Sequence, residues 1–174
     1  TMQEDLTSEM RVKPKQVIHR STVEDYQAKY RPRSSNISFV SSRSGEEQIW
    51  LSQNAELQQL SQFPSNSSID SYVWSLDGLS LAVALKGNLQ ILTLDGHAQL
   101  LSTSSKVIDV YQWVSKEEVL LSVIDQNKQR NVVLFNIETD EQQVILNGFS
   151  NWAQLGTDRV LFYTDWNNIL YVHE

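Results

Sequence analysis

The sequence predicts an all-β fold, a partial β-propeller of about four blades, each a four-stranded antiparallel sheet, arranged radially. Three observations predict it. Trp74, Trp113 and Trp152 are evenly spaced, 39 residues apart each time. Each is followed by two short apolar runs with a polar turn between them, and a period near 40 is the range of four-stranded propeller blades. No window sustains a helical i, i+3, i+4, i+7 pattern across ten residues.

The runs are rich in Val, Ile, Leu and aromatics and are short, which is strand composition and strand length. In the first unit Ile37 to Val40 and Gln48 to Leu51 flank Ser44-Gly45-Glu46, and Asn54-Ala55 leads into Leu57 to Leu60. In the second, Tyr72-Val73-Trp74 is the first strand. Leu79 to Leu85 and Leu89 to Leu94 flank Lys86-Gly87-Asn88, and Asp95-Gly96, a strong hairpin signal, leads into Ala98 to Leu101. The third unit repeats this with Trp113, Val119 to Ile124, Asp125-Gln126-Asn127, Val132 to Ile137, Glu138-Thr139-Asp140 and Gln142 to Leu146. The fourth has Trp152, Val160 to Tyr163, Trp166-Asn167-Asn168 and Ile169 to Val172, without an outer strand before Glu174. The blades therefore run over about 30–64, 65–103, 104–147 and 148–174.

Residues 1–29 form a separate N-terminal segment. Within it Thr22 to Tyr30 is read as a short helix, with Ser21 or Thr22 as cap and Glu24 and Asp25 in the first turn. The favoured reading is a partial propeller; one conceivable closure has Gln16 to Arg20 form the missing outer strand and tie the ring. The alternative is a six- or seven-bladed ring whose remainder lies beyond Glu174. A third is edge-to-edge association of two copies, since an open sheet edge invites pairing.

FVSSRSGEEQIWL (Phe39 to Leu51), ELQQLSQFP (Glu56 to Pro64) and YVWSLDGLSLAVA (Tyr72 to Ala84) resemble the WD-like repeat of the periplasmic protein TolB. The similarity covers about residues 30–174 and weakens along the chain: Leu76 stands where the repeat has Pro, and the later units keep little beyond their Trp. Similar repeats occur in the periplasmic part of membrane-bound transcription regulators that look like CadC or ToxR. The resemblance implies a non-catalytic sensory or binding module of a bacterial envelope protein, periplasmic and attached to a winged-helix regulator. The alternatives are a TolB-like interaction scaffold and the propeller of a prolyl-oligopeptidase-like peptidase. The motif also has a physical sense of its own. Trp74, Trp113 and Trp152 supply apolar faces for packing between sheets. Asp77 caps a turn and Gly78 takes a positive φ.

Composition excludes several chemistries. The chain has 174 residues, a hydrophobic fraction of 40% and a net charge of -7, so it can bury a core and its surface repels phosphate. Direct nucleic-acid contact is not expected, and the basic stretch Arg11, Lys13, Lys15, His19, Arg20 reads as a solvated arm. There is no Cys, hence no disulfide, thiolate metal site or thiol nucleophile. No stretch reaches the roughly 20 apolar residues of a membrane span, and the polar start TMQEDLTSEM is no signal peptide. His19, His97 and His173 are scattered, without metal-ligand spacing. Asp125-Gln126-Asn127 and Asp165 to Asn168 alternate as calcium ligands do, but turn chemistry accounts for them. No G-x-S-x-G elbow and no Gly-rich phosphate cradle occur. The reading is therefore a non-enzyme without metal or cofactor.

Recognition is expected at a propeller face, for a protein partner or a small ligand, through exposed aromatics and Arg. Trp166, in a tight turn beside Asp165 and Asn167, is the first choice of anchor. Trp50, Phe149 and Tyr163 belong to the same aromatic group. Arg43, on a polar hairpin tip, is a second candidate and is expected to reach Asp77 of the next unit.

Overall fold

The computed structural model describes residues 21–173. These residues form 15 strands and no helix, in four sheets. The first sheet orders β1 (Asp25–Tyr30), β2 (Ile37–Ser41), β3 (Gln48–Gln53) and β4 (Glu56–Gln59). The second contains β5 (Ile69–Trp74), β6 (Ser80–Leu85), β7 (Asn88–Thr93) and β8 (Ala98–Leu101). The third contains β9 (Lys106–Trp113), β10 (Glu118–Ile124), β11 (Arg130–Asn136) and β12 (Gln142–Asn147). The fourth has three strands, β13 (Trp152–Leu155), β14 (Leu161–Thr164) and β15 (Leu170–His173). Every pairing is antiparallel between chain neighbours, so each sheet is a meander.

The reason β6 and β10 are continuous apolar runs is visible in the packing. Alternate residues of a strand point to opposite faces. In β6, Leu81 and Val83 pack toward the first sheet with Val40, Ile49 and Leu51, while Ala82 and Ala84 pack toward the third with Val119 and Leu121. In β10 the same split sends Leu120, with Val132 of β11, toward the fourth sheet, against Ala153, Leu155 and Leu161. Both faces of the inner sheets are buried, which is what a stack of blades requires. The fourth sheet buries one face only. Its other face carries Trp152, Phe162 and Val172, all exposed.

The segment expected to be a short helix is strand β1. Its residues pair with β2, Tyr26 opposite Val40 and Tyr30 opposite Ile37, with a bulge where Gln27 takes a φ of 52°. Ser21 Oγ accepts a bond from the Val23 amide, a local turn that starts no helix. Pairing with the edge of β2 satisfies backbone groups that a single helical turn would leave exposed. The ring-closing strand expected at Gln16 to Arg20, and the basic arm, lie outside the described residues.

The three-fold Trp repeat also needs correction. Trp74 lies opposite Leu81 and Trp113 opposite Val119, each just before the turn into the next strand. The residue in that place in the fourth sheet is Leu155, opposite Leu161. Ser75, Val114 and Gly156 follow these three and make the same turn bond, to Ser80, Glu118 and Val160. Trp152 is opposite Thr164, at the far end of its strand and on the open face. Its exposure is 44%, against 8% for Trp74 and 4% for Trp113. The second 39-residue interval is thus coincidental; the structural period there is longer because the connection after β12 and the short β13 shift the register.

A buried polar knot ties β3 to the connection that leads from the first sheet to the second. Gln48 is buried, accepts from Ser61 Oγ at 2.6 Å and the Phe63 amide at 2.9 Å, and donates to the Phe63 carbonyl at 3.0 Å. Gln48→Ala strands these partners, and the expected loss is about 1–3 kcal/mol in urea unfolding.

Candidate binding faces

A meander places its turns alternately at two ends. One rim carries the central hairpin tips, 42–47, 86–87, 125–129 and 165–169, with the connections between sheets. The other carries the turns after the first and third strand of each sheet. This geometry corrects the expected contact of Arg43 with Asp77, because the two residues sit at opposite rims. Arg43 instead grips Asp25 of its own sheet, with both bonds at 2.8 Å, and lies over the rings of Phe39 and Trp50 at 4.9 and 5.4 Å. Asp77 caps its own turn, accepting from Ser75 Oγ and the Leu79 amide, bonds that hold its carboxyl below the usual range. Gly78 takes a φ of 72° against the Pro32 carbonyl, where a side chain would clash.

Trp166 lies on the first rim and is 69% exposed. Its turn is built by Asp165, whose Oδ1 accepts from the Asn167 and Ile169 amides at 2.9 and 3.0 Å. These bonds, that from Ile169 first, hold the Asp165 carboxyl below its ordinary value. Tyr171 donates its hydroxyl to the other carboxylate oxygen, and the bond raises the phenol above its ordinary value. Asn168 takes the left-handed φ of 58° and accepts from Asn151 Nδ2 at 2.9 Å. The turn therefore spends Asp165 on its own backbone and presents the Trp166 indole.

That indole stacks on Phe149, with centroids 3.3 Å apart and planes 3° from parallel. The Arg130 guanidinium lies 5.0 Å from the Phe149 ring and 5.5 Å from Trp166. Phe149 is placed by Gly148, whose amide donates to the Arg130 carbonyl at 2.9 Å. A depression of about 490 Å³ opens here, floored in part by Phe149, Trp166 and Arg130 with Asn131 and Asn147 beside them. It combines an aromatic platform, a cation and amides, the chemistry of an interface anchor. The sequence singled out Trp166 and Phe149 but not Arg130, whose only signal is its position at the start of a strand after a hairpin tip. Asp165 and Asn167 shape this site, whereas Arg43 belongs to the first sheet. Trp50 is half-buried under Arg43, and Tyr163 faces Tyr171 within the fourth sheet.

The first strands of the sheets are joined by polar bonds. Gln27 Nε2 donates to the Asp70 carbonyl, the Val110 amide to Ser71 Oγ, and Gln112 bonds both the amide and the carbonyl of Leu155. Among them Asp109 has its carboxyl pushed up by burial, and Lys29 its ammonium pushed down by burial, with their mutual attraction opposing both shifts. His97 and His173 lie in different sheets, and among the described residues no three His, Asp or Glu side chains converge on a point that could hold a metal.

No family model matches the sequence, and no curated protein matches it. Solved structures do. A puromycin hydrolase mutant complexed with PGG aligns with a TM-score of 0.55 at 13% identity, over 80% of this chain and 24% of that one. A chain of the nidogen/laminin complex aligns with a TM-score of 0.51 at 10% identity, over 79% of this chain and 55% of that one. A puromycin-hydrolyzing peptidase from Mycobacterium tuberculosis aligns with a TM-score of 0.50 at 14% identity, over 81% and 25%. The chain thus spans about a quarter to about half of the solved chains it resembles. At these identities the likeness shows the fold, which is of β-propeller type.

Proposed function

We propose that this chain is a non-catalytic binding module that recognises a protein partner or small ligand at the rim carrying Trp166. The fold by itself fixes no function, so the reading rests on the site. The observation that carries the reading is the exposed Trp166 held on Phe149 beside Arg130, a rigid aromatic surface with a cation at its edge. The resemblance to TolB-like repeats supports a finer proposal: the periplasmic signal-sensing part of a bacterial envelope protein with a winged-helix regulator attached. In that arrangement contact at the rim shifts the state of the attached domain, and this segment does not touch DNA. No helix among the described residues is long and apolar enough to cross a membrane. Self-association through the edge of β15 is a further partner mode, read by sedimentation.

The rim is tested by selecting phage-displayed peptides on the immobilised chain. Trp166→Ala is expected to weaken the enriched peptides by about 2 kcal/mol, roughly thirtyfold. Peptides that bind both proteins equally would remove the rim from the account. A second reading, the propeller of a peptidase, is favoured by the two puromycin-cleaving enzymes among the similar structures. A G-x-S-x-G segment elsewhere in the parent polypeptide would decide for it.

A further inference from the structure

The opposite rim holds a second cleft, between the second and third sheets, and its cause is one small residue. Arg31, Ser75 and Val114 occupy equivalent places, each donating its amide across the turn to Asn36, Ser80 and Glu118. At the junction of the first two sheets Arg31 reaches across. Its Nε donates to the Gly78 carbonyl at 2.8 Å and its guanidinium lies 5.9 Å from the Trp74 ring. At the junction of the third and fourth sheets Val114 packs into the core between them. At the middle junction Ser75 turns back on its own loop, donating to Asp77 and accepting from the Ser80 amide, and bridges nothing. A cleft of about 580 Å³ remains, open to solvent.

Its apolar walls are Leu76, Ile91, Trp113 and Ile137, with polar and charged side chains among them. Leu76 is 56% exposed, an apolar side chain with nothing over it. Several of the polar groups that line it are already committed. Ser115 Oγ accepts from the Glu117 and Glu118 amides, and Asp77 is held by Ser75 and Leu79. Trp113 Nε1 donates to the Val73 carbonyl. What it offers a ligand is apolar contact and two exposed cations, Arg33, whose charge also draws Asp77, and Lys116.

We propose that this cleft is a second binding site, distinct from the Trp166 rim, for an extended peptide segment with bulky apolar residues next to carboxylates. The apolar side chains take the place that Arg31 fills at the first junction, and the carboxylates meet Arg33 and Lys116. An open groove admits a passing chain, whereas a fatty acyl chain needs an enclosed tunnel.

The probe is a fluorescein-labelled peptide of two leucines followed by two glutamates, flanked by glycines. The control replaces the glutamates with lysines, and dodecanoate is the lipid arm. The acidic peptide is expected to bind at least tenfold more tightly than the control and to shift the Trp113 indole N–H signal. The pair Arg33→Glu and Lys116→Glu, at exposed positions, is expected to weaken it at least tenfold with the circular dichroism unchanged. Ser75→Arg, which gives this junction the side chain of the first, is expected to block it, while Trp166→Ala leaves it unchanged. Equal binding of the two peptides, indifference to the charge reversals, or binding of dodecanoate alone overturns the proposal. None of these results bears on the Trp166 rim.

Discussion

Replacing Trp74 by alanine is expected to lower the unfolding free energy by about 3–5 kcal/mol, the range for emptying a buried aromatic site. Three separate losses combine. The indole is 8% exposed and packs among Val40, Ile49, Tyr72 and Leu81, so its removal leaves a cavity between two sheets. Its Nε1 donates to Ser38 Oγ at 2.9 Å, and Ser38 is fully buried. Ser38 in turn shares a bond of 2.9 Å with the Tyr72 hydroxyl, which donates to the Gln27 carbonyl at 2.7 Å. The chain of bonds ties β1, β2 and β5 together, so losing one member weakens the others. Urea unfolding followed by circular dichroism reads the change. A loss below about 1 kcal/mol would mean that the indole does not join the sheets.

Leu155→Ala is the second large effect, with an expected loss of about 2–5 kcal/mol, whereas Trp152→Ala stays within about 0.5 kcal/mol. Leu155 is 3% exposed, packs with Leu120, Val132 and Leu161, and has its amide and carbonyl clasped by Gln112. Trp152, on the open face, buries far less. The same unfolding experiment compares the two, and the reverse order would restore the even Trp spacing as the structural repeat.

The strands were legible where both faces of a sheet are buried, because LAVAL and VLLSVI then leave little room for polar residues. Hairpins were legible where turn residues carry a positive φ, as at Asn54, Gly87 and Gly96. Strand β1 was not. It is mostly polar, and the bulge at Gln27 breaks its alternation. Trp152 misled because spacing counts residues and not register: a three-residue offset puts a side chain on the other face. Arg43 misled because which rim a turn occupies follows from strand direction, which the turn residues alone do not reveal. At the first rim Trp166 stood out as an aromatic in a tight turn, but Arg130 comes from another sheet and nothing local marks it. The middle cleft was invisible, since it depends on Ser75 being short where Arg31 is long, and that equivalence appears only once the registers are known.

The central claim is that successive sheets pack through an indole or leucine at the end of the first strand, with the fourth sheet's far face open. Hydrogen exchange of the five indole N–H groups tests it most directly. Trp74 and Trp113, bonded to Ser38 and Val73, are expected to exchange slowly, and Trp152 and Trp166 at close to the rate of a free indole. Protection of Trp152 equal to that of Trp74 and Trp113 would contradict the register and the open face together.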